Sequence, residues 1–338
     1  MSTFIVRRLV SMIAVLFSVS IVTFLLMHAA PGGPFDREKK LPPAVMDNIN
    51  AKFNLDDPLV TQYLRYMSNV VIPRLTTNPT TADLSDHLIN VRIGDTTLQW
   101  MNFGPSYKSQ SRTVNDIFRD NLPVSFTLGV LALLVAISIG LPAGIVAALG
   151  HNRWPDFIAT SLAVMGSSLP SIVLGPLLII VFGLGWRMLP VSGWGTASQA
   201  ILPVFTLGLG SAALIARLTR ASLLEVLNED YIRTARAKGL RGNRIVNVHA
   251  LKNAMIPVTT VLGPLFAGLV TGSFVVESVF GIPGMGKYFV TSINDRDYPV
   301  IMGTVLLFAM VLVIANFLVD LAYGWLDPRI GFGGAGHD

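Results

Sequence analysis

Read for hydropathy alone, the chain is six long apolar runs separated by polar segments of very unequal length. The first run, Leu9 to about Ala30, follows Arg7 and Arg8. About 20 residues at 1.5 Å rise cross the roughly 30 Å hydrocarbon core. This run is therefore read as a transmembrane helix. The alternative, a cleavable leader, has a shorter apolar stretch of about 7–15 residues. Pro31-Gly32-Gly33-Pro34 stops the helix, because proline lacks the amide donor and glycine disfavours helix. The later runs are Leu122 to Leu149, Phe157 to about Gly185, Ile201 to about Ala216, Ile256 to Val279, and Val300 to about Tyr323. Pro170 and Pro176 fall inside the third, which spanning helices tolerate. Arg217 and Arg220 end the fourth, and Leu326-Asp327-Pro328-Arg329 closes the sixth. The pattern predicts an all-α polytopic membrane protein with six transmembrane helices.

The longest polar segment, residues 31–121, reads as a small extracytoplasmic lobe between helices 1 and 2. Pro42-Pro43 and Asp57-Pro58 each open a helix-like piece. In the second, Leu59, Tyr63, Tyr66 and Val70 share a face. Residues 73–102 are rich in Thr, Asn and Asp and read as a loop or small insertion, and Phe103-Gly104-Pro105-Ser106 marks a further turn. The chain thus divides into an N-terminus with helix 1 (1–30), the lobe (31–121), a core of helices 2–6 (122–330) and a C-terminal tail (331–338).

Composition agrees with the hydropathy. Of 338 residues 52% are hydrophobic and 13% charged, about half the charge of a soluble domain. The net charge is +5. Nucleic-acid binding, the usual alternative for a basic chain, is excluded because the basic residues flank apolar spans. Arg7, Arg8, Arg153, the cluster at 228–254 and Arg329 fall on one side of the membrane. The short loops opposite hold Arg187, Lys287 and Arg296. The positive-inside rule makes the richer side, with both termini, cytoplasmic. Cysteine is absent, so no disulfide framework or thiolate metal site is available.

Candidate chemistry is sparse. No nucleophile–base pairing, metal-ligand spacing or GxxxxGK[ST] loop occurs, so the chain has no engine for ATP hydrolysis. Ionisable groups inside spans mark function by default. Glu277, near the end of the fifth run, either lines a translocation path or binds the backbone of the following GIPGMG turn. Asp320, in the sixth run, reads as a structural tie to a neighbouring helix or to Arg329. Gly140 with Gly144, and Gly268 with Gly272, have the spacing of close helix crossings.

One polar island stands out, NEDYIRTARAKGLRGNRIVNVHALKNA, Asn228 to Ala254. Asn228 is placed to cap a helix, with Glu229 and Asp230 in its first turn and Arg236 and Lys238 in its last, as the helix dipole prefers. Gly239 closes it. Arg244 to Ala254 then forms a second short helix running into the fifth span. Tyr231, Ala235 and Leu240 share one face, with the arginines opposite. A merely basic loop explains the charge but not the capped helix, its alanines and its glycine stop. A helix that docks in a groove on a partner explains all three.

The island resembles the coupling segment of binding-protein-dependent ABC importer permeases. That pattern, EAA, three residues, G, nine residues, I-x-LP, falls here on Arg233-Thr234-Ala235, Gly239 and His249-Ala250-Leu251. Arg233, Thr234, His249 and Lys252 depart from it as the peptide branch does. TGSFVVESVFGIPGMG (Thr271 to Gly286), ANFLVDLAYGWLDPRI (Ala315 to Ile330), LPPAVMDNINAKFNLDDPLVTQYL (Leu41 to Leu64) and FGPSYKSQSRTVNDI (Phe103 to Ile117) resemble the same branch. The resemblance implies a type I importer fold and the B-type permease subunit of an oligopeptide transporter in a bacterial inner membrane. It further implies a second homologous permease and two ATPase subunits, which bind ATP and Mg while this chain binds no cofactor. An extracytoplasmic peptide-binding protein would deliver the peptide. The ATPase-facing residues would be Tyr231, Arg233, Thr234, Ala235, Arg236, Lys238, Gly239, Arg244, His249 and Leu251. Relatives in the same family carry dipeptides, nickel, glutathione or peptide-like antibiotics. An ion-coupled secondary transporter, which needs more intramembrane carboxylates, and a membrane scaffold are the readings from other classes.

Overall fold

The structure, a computed structural model, describes residues 2–35, 51–109 and 111–326. The helix expected after Pro43 falls mostly outside these residues, as does Arg329. In order the elements are α1 (Ser2–Ala29), α2 (Leu59–Val71), β1 (Arg74–Thr77), α3 (Thr81–Ser85), β2 (Ile89–Ile93), β3 (Thr96–Trp100), α4 (Val114–Leu149), α5 (Trp154–Ser168), α6 (Ser171–Leu178), α7 (Ala197–Val226), α8 (Asp230–Ala237), α9 (Gly242–Val270), α10 (Phe274–Phe280), α11 (Gly286–Asp295) and α12 (Tyr298–Leu326). Among the described residues five helices are long and apolar enough to cross a membrane, α1, α4, α7, α9 and α12.

The third apolar run is not one straight helix. α5 and the segment Ser171–Gly185 meet at 105°. Pro170 has no amide to donate and drives Leu169 into an extended conformation (φ −88°, ψ 113°), as the residue before proline prefers. Pro170 then serves as the N-cap of α6. The fifth run also ends earlier than its hydropathy suggested. α9 stops at Val270, and Gly272, at φ +112°, turns the chain before α10. The fourth extends further, since α7 continues past Arg217 and Arg220 to Val226.

The chain forms two compact units. The first gathers residues up to Ala14, Val124–Gly284 and Met310 onward. Its helices approach closely where glycine removes the side chain. A Cβ on Gly140 would stand 2.5 Å from the Ala212 carbonyl oxygen, and one on Gly144 would stand 2.6 Å from that of Ala216. These two glycines seat α4 on α7. Gly268 does not act this way, because nothing lies within 4 Å of its Cβ position, and Gly272 belongs to the chain break.

The second unit comprises Val15–Pro123 and Met285–Ala309. Residues 73–102, expected as a loop or small insertion, hold an antiparallel sheet in the order β1-β3-β2, so the lobe adds three short strands to an otherwise helical chain. Gly94 and Asp95 join β2 to β3, with Ile93 opposite Thr96. Gly94 takes φ +63°, the demand that a two-residue hairpin beginning with glycine satisfies. Asn115 ties the sheet's end to α4 by donating to the Met101 carbonyl at 3.0 Å. Asp297 lies before α12 and is buried. It accepts from the Ser106 hydroxyl and from the backbone amides of Tyr107 (3.1 Å) and Lys108 (3.3 Å).

Candidate functional site

The site is built on α8 and the start of α9. Ile232 and Ala235 face inward and are buried with Leu223 of α7, Ala148 of α4, and Ile245, Ala250 and Ala254 of α9. Burying a side chain such as Ile232 stabilises by about 1.5–3 kcal/mol, so α8 is held against three spans. The helix stops in a Schellman arrangement. The Leu240 amide reaches back to the Ala235 carbonyl and the Gly239 amide to that of Arg236 at 2.9 Å, with Gly239 at φ +77°. Leu240 then packs onto the same apolar cluster, the contact that accompanies this motif.

The outer face is polar. Arg233, Thr234, Arg236, Lys238, Gly239 and Arg244 are exposed, while His249 and Leu251 are half-buried along α9. Two expected details change. Asn228 does not cap α8: its side chain donates to the Leu224 carbonyl at 2.9 Å and finishes α7, and Glu229 takes the N-cap position. Tyr231 does not share the inner face with Ala235. It is exposed, and its hydroxyl accepts from Asn253 Nδ2 at 2.8 Å, tying α8 to α9 by their outer edges. Ile232 takes the inner position instead.

Glu277 lies on α10 and is 2% exposed. The Ser125 hydroxyl of α4 donates to its Oε1 at 2.7 Å. Its backbone carbonyl accepts from the Ile282 amide at 2.8 Å. A Cβ on Gly284 would stand 2.4 Å from the carboxyl carbon, so the GIPGMG turn lies directly on the carboxyl group. Asp320 accepts from Arg8 of α1 in an ion pair.

The chain itself matches two family models. Residues 140–332 match the inner membrane component of binding-protein-dependent transport systems, and residues 1–129 match the N-terminal part of such a membrane component. The chain belongs to this permease family. Among its relatives, the dipeptide transport system permease protein DppB of Bacillus subtilis is 44% identical over 330 residues, covering 98% of each chain. The oligopeptide transport system permease protein OppB is 41% identical in Haemophilus influenzae and 40% in Escherichia coli K12, in each case over 98% of this chain and 100% of the relative. The fold also matches an inward-facing structure of the MetNI methionine ABC transporter, with a TM-score of 0.51 and 19% identity, over 62% of this chain and 96% of that one.

One pair in the permease escaped the reading of its sequence. Arg220 of α7 donates to Asp156 of α5 through Nε at 2.6 Å and through a terminal nitrogen at 2.8 Å. Asp156 also accepts from the Asn152 amide at 3.0 Å. This closes the basic loop after α4 onto α7. A signal was present, a lone acid immediately before one apolar run and arginines at the end of the next, but spacing alone does not pair residues 64 apart.

Proposed function

We propose that this permease is a membrane subunit of an ATP-driven importer that carries peptides from a binding protein across the inner membrane. The carrying observation is α8, a short helix with its inner face buried against α4, α7 and α9 and its cationic outer face free of apolar packing. Such a helix accepts force from a partner and passes it to the spans. A second homologous permease would complete the passage. Two ATPase subunits would take the coupling helices in surface grooves, and their closure on ATP would swing the spans between inward-open and outward-open. The termini and α8 would lie in the cytoplasm and the sheet-bearing lobe outside, where the binding protein docks. The relatives named for oligopeptides and for dipeptides support peptide cargo of either length.

Glu277, buried and bonded to Ser125, is better suited to fixing the turn after α10 than to touching cargo. Purification of the assembled complex tests the proposal. ATPases and a binding protein should co-purify, and a loaded binding protein should stimulate ATP hydrolysis. Uptake that persists when ATP is depleted would instead favour an ion-coupled carrier.

A further inference from the structure

The second unit holds a cavity of about 210 Å³. Its walls come from the end of α1, from α2, from the Phe103–Tyr107 turn and from the start of α12. Aromatic rings follow one another along it. Phe24 and His28 have centroids 4.2 Å apart, His28 and Tyr298 5.0 Å, Tyr298 and Tyr107 6.3 Å, and Tyr107 and Phe53 4.6 Å. Among the described residues the lining includes the cations Lys52 and Arg65. Arg65 pairs with Asp57 at 2.5 Å, while the Lys52 ammonium lies 5.5 Å from the Phe53 ring centroid. Tyr66 also lines the cavity, and its buried hydroxyl has no hydrogen-bond partner among the described residues. Buried hydroxyls in native folds are nearly always bonded, so this one marks a place for a ligand atom. Burial, with Tyr107 alongside, raises the Tyr66 phenol above its usual range and keeps it a neutral donor at physiological pH.

Sites for whole drug-sized ligands measure about 300 Å³ or more, so this one suits a single large side chain. Aromatic walls favour an aromatic or aliphatic group, and with Arg65 already paired to Asp57 the Lys52 ammonium is the cation on the rim that favours an anion beside it. We propose that the cavity is a hand-over subsite for the C-terminal residue of a peptide. The side chain packs against the rings, the free carboxylate faces Lys52, and the Tyr66 hydroxyl donates to it. This deepens the peptide-import reading and rests on it.

The test uses the whole transporter in lipid nanodiscs and a peptide ending in photoreactive benzoylphenylalanine. After irradiation, adducts should map to the segments holding Met27 and Met302. Converting the probe's carboxylate to an amide, or Lys52→Gln, should cut labelling about tenfold, the effect of losing one charge-assisted bond. Tyr66→Phe should reduce it, and Met302→Trp, which fills the space, should abolish it. Adducts confined to the binding protein, to lipid or to other parts of the chain overturn the subsite. So does labelling indifferent to both the amide and Lys52→Gln, a variant at an exposed position that keeps the test open if Met302→Trp misfolds. Peptide-stimulated ATP hydrolysis, measured in the same preparation, reports on the import reading separately.

Discussion

Gly239 turns the backbone left-handed with nothing within 4 Å of where a Cβ would stand. The demand there is conformational, not steric. A β-branched residue costs about 1–2 kcal/mol in that region, whereas asparagine visits it readily. Gly239→Val should therefore uncouple ATP hydrolysis from peptide uptake in the assembled transporter, while Gly239→Asn keeps both. Equal uptake by the two variants would remove the helix stop from the mechanism. Gly284 poses the opposite problem, since its Cβ position is filled by the Glu277 carboxyl group at 2.4 Å. Gly284→Ala should displace the carboxylate from Ser125 at a cost of about 1–3 kcal/mol for overpacking. Uptake should fall while membrane insertion is retained, and wild-type uptake would show that the contact is dispensable. At this scale the sequence made Gly239 readable, because a glycine after a capped basic helix has few other uses. It did not separate Tyr231 from Ile232. Each lies three or four residues from Ala235, so both spacings place it near the same face. Burial chooses the wholly apolar side chain, and the phenol stays where it meets Asn253.

At the scale of elements, the apolar runs marked the five long helices and the bent pair, because membrane-spanning length is written directly in hydropathy. Their interruptions were less legible. Pro170 breaks its run at 105°, yet Pro203 sits within α7 and Pro257 and Pro264 sit within α9. Proline identity does not decide the outcome; whether neighbouring helices cover the opened backbone does. The sheet was missed because its strands are four or five residues long and lie in a Thr- and Asn-rich stretch. Gly94-Asp95 was its one local signature. The junction between α5 and α7 makes a measurable claim. Asp156 is nearly buried and bonded twice to Arg220. Asp156→Asn should leave the guanidinium without its counter-ion and destabilise the purified complex by about 2–3 kcal/mol, seen as a lowered Tm. An unchanged Tm would mean that water replaces the pair at no cost.

At the scale of the molecule, a buried carboxylate carries the hydrogen bonds that tie the Ser106–Lys108 turn of the lobe to the start of α12. Asp297 satisfies a hydroxyl and two amides, and each buried donor left unpaired costs about 1–3 kcal/mol. Asp297→Ala should make the lobe susceptible to protease added to spheroplasts while the spans stay protected, and full resistance would show that the sheet is held by other contacts. The bend between α5 and α6 has a wider consequence. Five straight passages are an odd number and would leave the two ends of the chain on opposite faces. The bent pair makes the count even only if it goes all the way through. The sidedness of everything after residue 185, α8 included, therefore depends on that corner. The native chain has no cysteine, so a single introduced thiol reads sidedness without background. Asn152→Cys should be shielded from an impermeant maleimide in intact cells and Ser192→Cys should react. Reaction or protection of both together would turn the corner into a re-entrant loop and carry α8 to the wrong face.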